Sequence, residues 1–226
     1  MKQLLFIAIS FSSLFVVSCK EKTTTDVSVD ETPAVETPAA GADGTYIIDP
    51  AASIVNWKGS KPTGVHNGTV PVSGGQVTVA NGMITGGTVD FDMAGITVLD
   101  LEGNDKANLE AHLKGDAPGK ENDFFNVGKY PKATYVINSV SKLDNDAEGN
   151  HMVNGTLTVK DISKPVSFKA NVTFDGNKLT ATTPEFSVDR TEFDIRFKSR
   201  KFFNNLQDDF VNDEFRLQIN VTANKQ

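Results

Sequence analysis

The 226-residue sequence predicts an all-β fold, an antiparallel barrel of about eight strands with one or two short helices. In residues 166–174 and 215–222, apolar and polar side chains alternate without interruption. Successive side chains of a β-strand point to opposite faces, so each stretch predicts one apolar and one solvated face. The turn sequences Ala80-Asn81-Gly82 and Asp175-Gly176-Asn177 predict tight hairpins, and tight hairpins connect antiparallel neighbours.

Other segments complete the predicted barrel. Residues 105–114 contain good helix formers, and residues 198–209 are a candidate for a second short helix. Inserted between strands, such elements either cover an opening of a barrel or fill gaps in its core, and spacing alone leaves both open. The further predicted strands are 54–58, 68–73 continuing to 76–80, 83–93, 133–140, 152–160 and 178–188.

Composition and motifs exclude several function classes. The net charge of −7 argues against nucleic-acid binding, which needs a basic surface. A single cysteine forms no internal disulfide and no CxxC zinc site. His66, His112 and His151 lie on different predicted elements without metal-ligand spacing, and no nucleophile elbow or phosphate-binding loop occurs. The sequence therefore predicts no catalytic residue, no metal and no cofactor.

The first residues predict a bacterial lipoprotein signal peptide over 1–18. Lys2 precedes an apolar run over residues 4–17 that is too short for a permanent membrane span. The run ends in Val-Val-Ser-Cys at residues 16–19, which resembles a lipobox, so Cys19 is expected to be acylated, with palmitate-type chains, and to become the mature N-terminus. The alternative is an ordinary signal peptide with a chance cysteine.

Residues 19–44 predict the acylated cysteine followed by a disordered linker. Residues 20–44 are rich in Thr, Pro, Ala and acidic residues and contain no aromatic side chain, so they lack the apolar area that folding requires. The barrel is expected to occupy residues 45–226. Because Lys20 follows the cysteine where Asp would favour inner-membrane retention, we expect a lipoprotein of the bacterial cell envelope, anchored in the outer membrane and facing the periplasm or the surface.

The predicted barrel interior is apolar. An eight-stranded barrel is wide enough either to fill itself with side chains or to hold one small ligand, and the sequence alone permits both. If a cavity remains, only a hydrophobic ligand occupies it without stranding polar groups. The candidate cavity-lining residues are Trp57, Val89, Phe91, Phe125, Tyr135, Phe168, Val172, Phe186, Phe215 and Ile219.

A series of short motifs runs through the predicted barrel. They occupy residues 46–50, 57–59, 64–68, 86–93, 112–114, 122–127, 129–133, 155–166 and the Asp-Arg-Thr-x-Phe run within 186–193. In this order they resemble the YceI-like lipid/polyisoprenoid-binding family. The resemblance implies an extended lipocalin-like barrel with an elongated apolar cavity for a long isoprenoid chain, of the quinone or polyprenyl-phosphate type. It also implies a binding protein rather than an enzyme, and a possible homodimer.

The candidate residues for the cavity mouth are polar. Arg190 beside Asp189 predicts a structural ion pair, with the alternative that Arg190 or the basic run 196–201, beginning at Arg196, contacts an anionic head group. His66 and His112 carry the same two interpretations. Two rival functions remain: an enzyme acting on a lipid or quinone, with a histidine and Asp100 pointing into the cavity, and a filled barrel with a structural role.

Overall fold

The computed structural model describes residues 40–226. The predicted signal peptide, Cys19 and residues 20–39 of the predicted linker lie outside the described residues. The strands are β1 Gly44–Ile48, β2 Ile54–Lys61, β3 Gly64–Ala80, β4 Met83–Asp92, β5 Thr97–Val98, β6 Lys132–Lys142, β7 His151–Val159, β8 Ile162–Asp175, β9 Lys178–Thr182, β10 Phe186–Asp189 and β11 Glu214–Lys225, and the helix α1 is Gly103–Lys114.

The strands form a closed antiparallel ring of eight positions, which confirms the predicted barrel. Neighbours follow the order β11, β2, β3, β4, β6, β7, β8, β9, and β9 pairs again with β11. Every pairing is antiparallel, and the tight turns at Asn81-Gly82 and Gly176-Asn177 connect β3 to β4 and β8 to β9. Consecutive strands are neighbours, so most connections are short, and the long ones are residues 93–131 between β4 and β6 and residues 190–213 between β10 and β11.

Two ring positions are each occupied by two short strands in succession. β1 and β2 both lie between β3 and β11, and they are separated by a 3-10 turn that begins at Pro50. β9 and β10 both pair with β11, and Pro184 lies in the break between them. Proline cannot donate to a sheet ladder, so it interrupts a strand. The single strand predicted over 178–188 is therefore wrong, because it is divided at residues 183–185.

These breaks divide the barrel into two halves along its axis. In the closed half, residues 44–48, 76–88, 137–155, 170–182 and 220–225 form a ring in which every neighbour is hydrogen-bonded. Its interior is solid: Tyr46, Leu179 and Ala223 are almost completely buried, and the Tyr46 ring meets the Phe174 ring edge-on at 5.8 Å. Buried side chains around the Tyr46 ring therefore form the core of this half.

The open half is formed by residues 54–72, 89–92, 132–136, 156–169, 186–189 and 214–219. Among the described residues, no backbone pairing connects the first part of β8, residues 162–170, to β10. We call this gap in the wall the seam. Side chains close it instead, with the Phe168 and Phe186 rings stacked at 4.7 Å and Lys164 paired with Glu192 at 2.8 Å.

The elements between strands cover the open half. The helix predicted over 105–114 is confirmed as α1, which is followed by Gly115 in a left-handed conformation. The second helix predicted over 198–209 is wrong, because residues 195–211 form an irregular loop that we call the lip. Left-handed backbone angles at Lys198, Asn205 and Gln207 prevent a continuous helix there. Within residues 40–226, no helix has the length and apolarity needed to cross a bilayer.

Candidate ligand-binding cavity

The open half encloses an apolar cavity of about 140 Å³. Strand residues from all eight ring positions line it, together with residues of α1, of the loop after it and of the lip. The volume is close to that of an engineered apolar cavity of about 150 Å³ that holds benzene. The lining residues include Val55, Trp57, Val70, Phe91, Met93, Ile96, Leu113, Phe124, Phe125, Ala133, Tyr135, Leu157, Val159, Val166, Phe168, Phe186, Arg190, Ile195, Val211, Phe215, Leu217 and Ile219.

One buried hydroxyl in the cavity wall finds its hydrogen-bond acceptor within the protein. Tyr135 on β6 crosses over Gly155 on β7 and donates its phenol to the Val166 carbonyl of β8 at 2.8 Å. A Cβ at Gly155 would lie 2.3 Å from the phenol ring, so only glycine leaves room for this crossing. Burial raises the pKa of the Tyr135 phenol well above its usual value, so the group stays uncharged. The cavity surface is therefore apolar at this point too.

Arg190 is buried against the cavity and fully occupied by the protein. Its guanidinium donates to the carbonyl oxygens of Ile195 at 2.7 Å and Phe197 at 2.8 Å, which begin the lip. It also donates at 3.0 Å to the carbonyl oxygens of Val211, the last residue of the lip, and of Asn212, the residue after it. With 4% of its surface exposed, this side chain holds both ends of the lip together and has little capacity left for a head group.

The predicted ion pair between Arg190 and Asp189 is wrong, because each of the two residues pairs with a different partner. Arg190 lies 3.4 Å from Asp213, whereas Asp189 pairs with Lys201 and accepts from the hydroxyl and N–H of Thr191. Burial opposes ionisation of Asp189, but the hydrogen bonds from Lys201 and Thr191 outweigh it and lower its pKa. The strand β10 ends at Asp189 and the 3-10 turn begins at Arg190, so the two adjacent side chains reach different partners.

A second, wetter space adjoins the cavity. This vestibule has a volume of about 370 Å³ and shares five lining residues with the cavity: Trp57, Gly59, Leu113, Phe124 and Val211. The indole N–H of Trp57 donates to the Thr97 carbonyl at 3.2 Å, which fixes the ring between the two spaces. The vestibule's other lining residues include Lys61, His66, Leu109, His112, Lys120, Phe197, Lys198, Asp209 and Phe210.

Both vestibule histidines pair with carboxylates. His112 on α1 lies 2.8 Å from Asp123, and its ring meets those of Phe124 and Phe197 edge-on at 5.0 and 4.8 Å. These contacts join α1, the loop after it and the lip over the open end of the barrel. His66 lies 2.8 Å from Asp100 at the solvent side of the vestibule. The enzyme hypothesis requires this pair to point into the cavity, and neither residue lines it.

The third histidine is remote from both spaces. His151 on β7 contacts the side-chain oxygen of its neighbour Asn150 at 2.6 Å, and burial lowers its pKa. Over residues 40–226, the side chains form no cluster of three or more His, Cys, Asp or Glu that would suit a metal ion.

The structure brings together most of the residues that the sequence proposed for the cavity wall. Trp57, Phe91, Phe125, Tyr135, Phe168, Phe186, Phe215 and Ile219 line it. Val89 and Val172 do not: both are buried in the core away from the cavity, Val172 in the closed half. Among the proposed mouth residues, His66 and His112 line the vestibule, Arg190 lines the cavity wall, and Arg196 lies outside both spaces, paired with Asp194 at 2.6 Å.

Sequence reasoning missed some of the lining residues. Ile195 and Val211 are the two ends of the lip and lie outside the helix predicted over 198–209, and Leu113 lines the cavity from α1. The available signal was Ile195, directly before the basic run 196–201, and Val211, two residues after the acidic pair Asp208-Asp209. A loop that carries isolated apolar residues buries them under itself if it folds back on a core.

A protein-family model matches nearly the whole barrel. The model of the YceI-like domain matches residues 46–223. The chain belongs to the YceI-like family. The match runs from β1 to β11 and so includes every strand of the ring, the cavity and the lip. The Asp-Arg-Thr-x-Phe run of this YceI-like domain forms the end of β10 and the turn from which Arg190 reaches the lip.

Curated relatives of the YceI-like domain match over shorter stretches. A UPF0312 protein of Shewanella sp. (strain W3-18-1) is 32% identical over 81 residues, which is 36% of this chain and 37% of the relative. Protein YceI of Escherichia coli is 33% identical over 66 residues, 29% of this chain and 32% of the relative. The chain thus spans about a third of the length of these curated relatives.

Two solved structures share the fold of this YceI-like domain. BcnA of Burkholderia cenocepacia superposes with a TM-score of 0.59 at 20% identity, covering 78% of this chain and 99% of its own. A polyisoprenoid binding domain from Saccharophagus degradans, implicated in plant cell wall breakdown, superposes with a TM-score of 0.55 at 12% identity, covering 82% and 100%.

Proposed function

We propose that this YceI-like domain binds a long apolar lipid of the isoprenoid class, with the chain in the cavity and the polar end in the vestibule. The observation that carries the proposal is the cavity itself, an apolar space beside Tyr135 and Arg190, whose polar groups are already bonded to the protein. Such a surface favours ligands without polar groups. The polyisoprenoid-binding domain of the same fold from Saccharophagus degradans supports the ligand class.

Binding energy comes from removing the chain from water. Each buried CH₂ contributes about 0.8 kcal/mol, so even one five-carbon isoprenoid unit is held appreciably. A cavity of about 140 Å³ accommodates only a short part of a long chain. A longer chain needs the wall to widen, and the seam permits this because the Phe168–Phe186 stack can separate without breaking a sheet hydrogen bond.

The vestibule suits the polar end of such a ligand. Lys61, Lys120 and Lys198 line it, and among these only Lys198 has a carboxylate partner within the described residues, Asp209 at 2.6 Å. Positive side chains beside an apolar cavity favour a phosphate or a quinone oxygen at this position. We therefore assign the quinone or polyprenyl-phosphate type as the ligand, with its head group at the vestibule.

We also propose that acylated Cys19 anchors the domain in the bacterial cell envelope. The lipobox-like residues 16–19 and the composition of residues 20–44 support this part of the proposal. Metabolic labelling with a clickable palmitate analogue tests it. The chain should be labelled and Cys19→Ala should not be, whereas equal labelling of both would contradict the anchor.

The binding proposal predicts that filling the cavity abolishes ligand uptake. Ala133→Leu places three extra carbons in the cavity wall, so we expect at least a tenfold loss of affinity for a long-chain quinone. Trp57 is the chain's single tryptophan and lies between cavity and vestibule, so quinone quenching of its fluorescence measures binding. Extraction of the protein from a bacterial host, with mass spectrometry of the extract, identifies the lipid carried.

The control is Val136→Leu, three residues along the same strand and on the outer face of the barrel, where the side chain is 39% exposed. It should bind as the parent chain does. Parent protein that carries no lipid from its host and refuses added quinone and polyprenyl phosphate would contradict the proposal. That result would favour the filled structural barrel, which the cavity of about 140 Å³ makes the weaker alternative.

A further inference from the structure

The lip carries a concentration of positive charge, of which the proposed ligand site uses only Lys198. Residues 195–207 contain four cations, Arg196, Lys198, Arg200 and Lys201, and no carboxylate, in a chain whose net charge is −7. Over the whole lip, four cations stand against two carboxylates, Asp208 and Asp209. The lip is thus a positive region on a negatively charged protein, and its location is the open end of the barrel.

Aromatic side chains project from the same region. Phe202 and Phe203 lie side by side at the tip of the lip and are 45% and 48% exposed. A pair of adjacent exposed phenylalanines is costly in water, and a partner that buries them recovers that cost.

The cations are arranged around these rings. The Arg196 guanidinium lies over the Phe202 ring at 4.6 Å from its centroid, and the Arg200 guanidinium lies over the Phe210 ring at 3.5 Å. Phe210 also lines the vestibule. The positive and aromatic residues therefore form one continuous surface that extends from the exposed tip to the space beside the cavity.

Part of this charge is available to a partner. Arg196, Lys198 and Lys201 each have a carboxylate partner on the protein, in pairs that are largely exposed and therefore weak. Arg200 donates to the Gln207 carbonyl at 2.7 Å, and its charge has no carboxylate partner among the described residues. Arg190 fixes the base of the lip, so the tip is presented on a rigid support.

We propose that the tip of the lip docks onto an anionic lipid bilayer, with Phe202 and Phe203 inserted among the acyl chains and the surrounding cations at the lipid phosphates. Interleaved aromatic and basic residues suit a membrane interface, where rings lie at the acyl boundary and cations meet anionic head groups. Docking in this orientation brings the vestibule to the level of the head groups. The proposal concerns the bilayer as a partner, and its test requires no ligand in the cavity.

The test measures insertion at the tip directly. Full-length protein carrying Phe202→Trp is mixed with phosphatidylglycerol vesicles whose acyl chains are brominated, because bromine quenches tryptophan only on contact. We expect the emission of the introduced tryptophan to fall at least twofold, after subtraction of the Trp57 signal of the parent chain. In brominated phosphatidylcholine vesicles the fall should be much smaller, since the attraction to anionic lipid is missing.

The matched control is Met83→Trp. Met83 is similarly exposed, at 51%, but is the first residue of β4, directly after the turn from β3, in the closed half. Its emission should be unaffected by either vesicle, even where the N-terminal segment holds the protein at the bilayer. Equal quenching at positions 83 and 202, or none at 202, would overturn the proposal. So would a concentration-dependent doubling of mass that Phe202→Asn abolishes, because the tip would then be a contact between two copies of the chain.

Charge removal gives a second, independent measurement. Arg200→Gln in the Phe202→Trp protein should weaken the phosphatidylglycerol titration about fivefold, the effect of about one basic side chain at an anionic surface. Arg216→Gln removes a comparably exposed arginine from β11, outside the lip, and should leave the titration unchanged. Equal effects of the two substitutions would show a general charge effect and would contradict docking through the lip.

Discussion

Arg190 explains, at the scale of one residue, why the Asp-Arg-Thr-x-Phe run lies where it does. Its guanidinium is the meeting point of four backbone carbonyls from the two ends of the lip. Burial lowers its pKa, with Asp213 and Asp189 opposing that effect, yet a guanidinium remains charged at neutral pH. This position requires donors that point in several fixed directions at once, and the planar guanidinium supplies them.

Replacing Arg190 is expected to destabilise the protein strongly. Arg190→Met keeps the length of the side chain but leaves four partly buried carbonyl groups without a donor, so we expect a loss of about 3 kcal/mol or more. Urea denaturation measures it. Arg196→Met, which removes an exposed arginine of the same loop, should cost less than about 1 kcal/mol. Similar costs for the two variants would contradict the role given to Arg190.

Most predictions about individual site residues followed from alternation along strands. Alternation gives the face of a strand on which a side chain lies, which is why Phe168 and Phe215 were found. It does not give the depth along the barrel axis, so Val172 was placed in the cavity although it belongs to the closed half. Nor does it reveal that Arg190 would bond to main-chain carbonyls distant in sequence.

The end of β10 is the element on which the open half depends. Asp189 accepts from the Thr191 N–H at 2.9 Å, so it caps the 3-10 turn Arg190–Phe193, and it pairs with Lys201 of the lip. Lip, turn and strand are thus connected through one carboxylate. Its lowered pKa means that the folded state favours the ionised form.

This carboxylate is expected to make stability depend on acid pH. Because its folded pKa is below the unfolded value near 3.8, the contribution of Asp189 is fully present above about pH 4 and is lost as pH falls through the folded value. Asp189→Asn should therefore be less stable than the parent chain at pH 7, by about 1 kcal/mol. Thermal unfolding at several pH values should show the difference shrinking below pH 4, and a constant difference would contradict it.

Strands and helices were predictable from the sequence where the local pattern of side chains agrees with the packing around it. The alternating strands 166–174 and 215–222 lie within β8 and β11, and the helix formers after residue 104 form α1. The lip failed as a helix because left-handed residues and the bonds to Arg190 decide its path, and neither leaves a local periodic signal. The division of 178–188 was foreseeable from Pro184, which no interior strand position accepts.

At the scale of the whole molecule, stability and access are separated along the barrel axis. The closed half has a complete ring of hydrogen bonds and a solid core, whereas the open half has the cavity, the seam and the covering elements. The Phe168–Phe186 stack, the exposed Lys164–Glu192 pair and a hydrogen bond from Lys160 to the Asp194 carbonyl close the seam, without a strand pairing among the described residues. We expect local opening to concentrate there, since few contacts must break.

Hydrogen exchange measures this difference. Amides of residues 162–170 that point away from β7 have no strand partner at the seam and should exchange much faster than amides of residues 171–175, which pair with β9. Phe168→Ala should speed exchange further at the seam and leave the closed half unchanged. Uniform protection along β8 would show that the seam is as stable as the rest of the wall.

Because side chains fill the core of the closed half, the barrel is open at one end only. A lipid bound as proposed would enter and leave on one side of the barrel, through the mouth or the opened seam, because the closed half blocks the far end. If the domain passes this lipid on, donor and acceptor would use that side in turn, in an alternating, ping-pong scheme in which an excess of either slows transfer by competition.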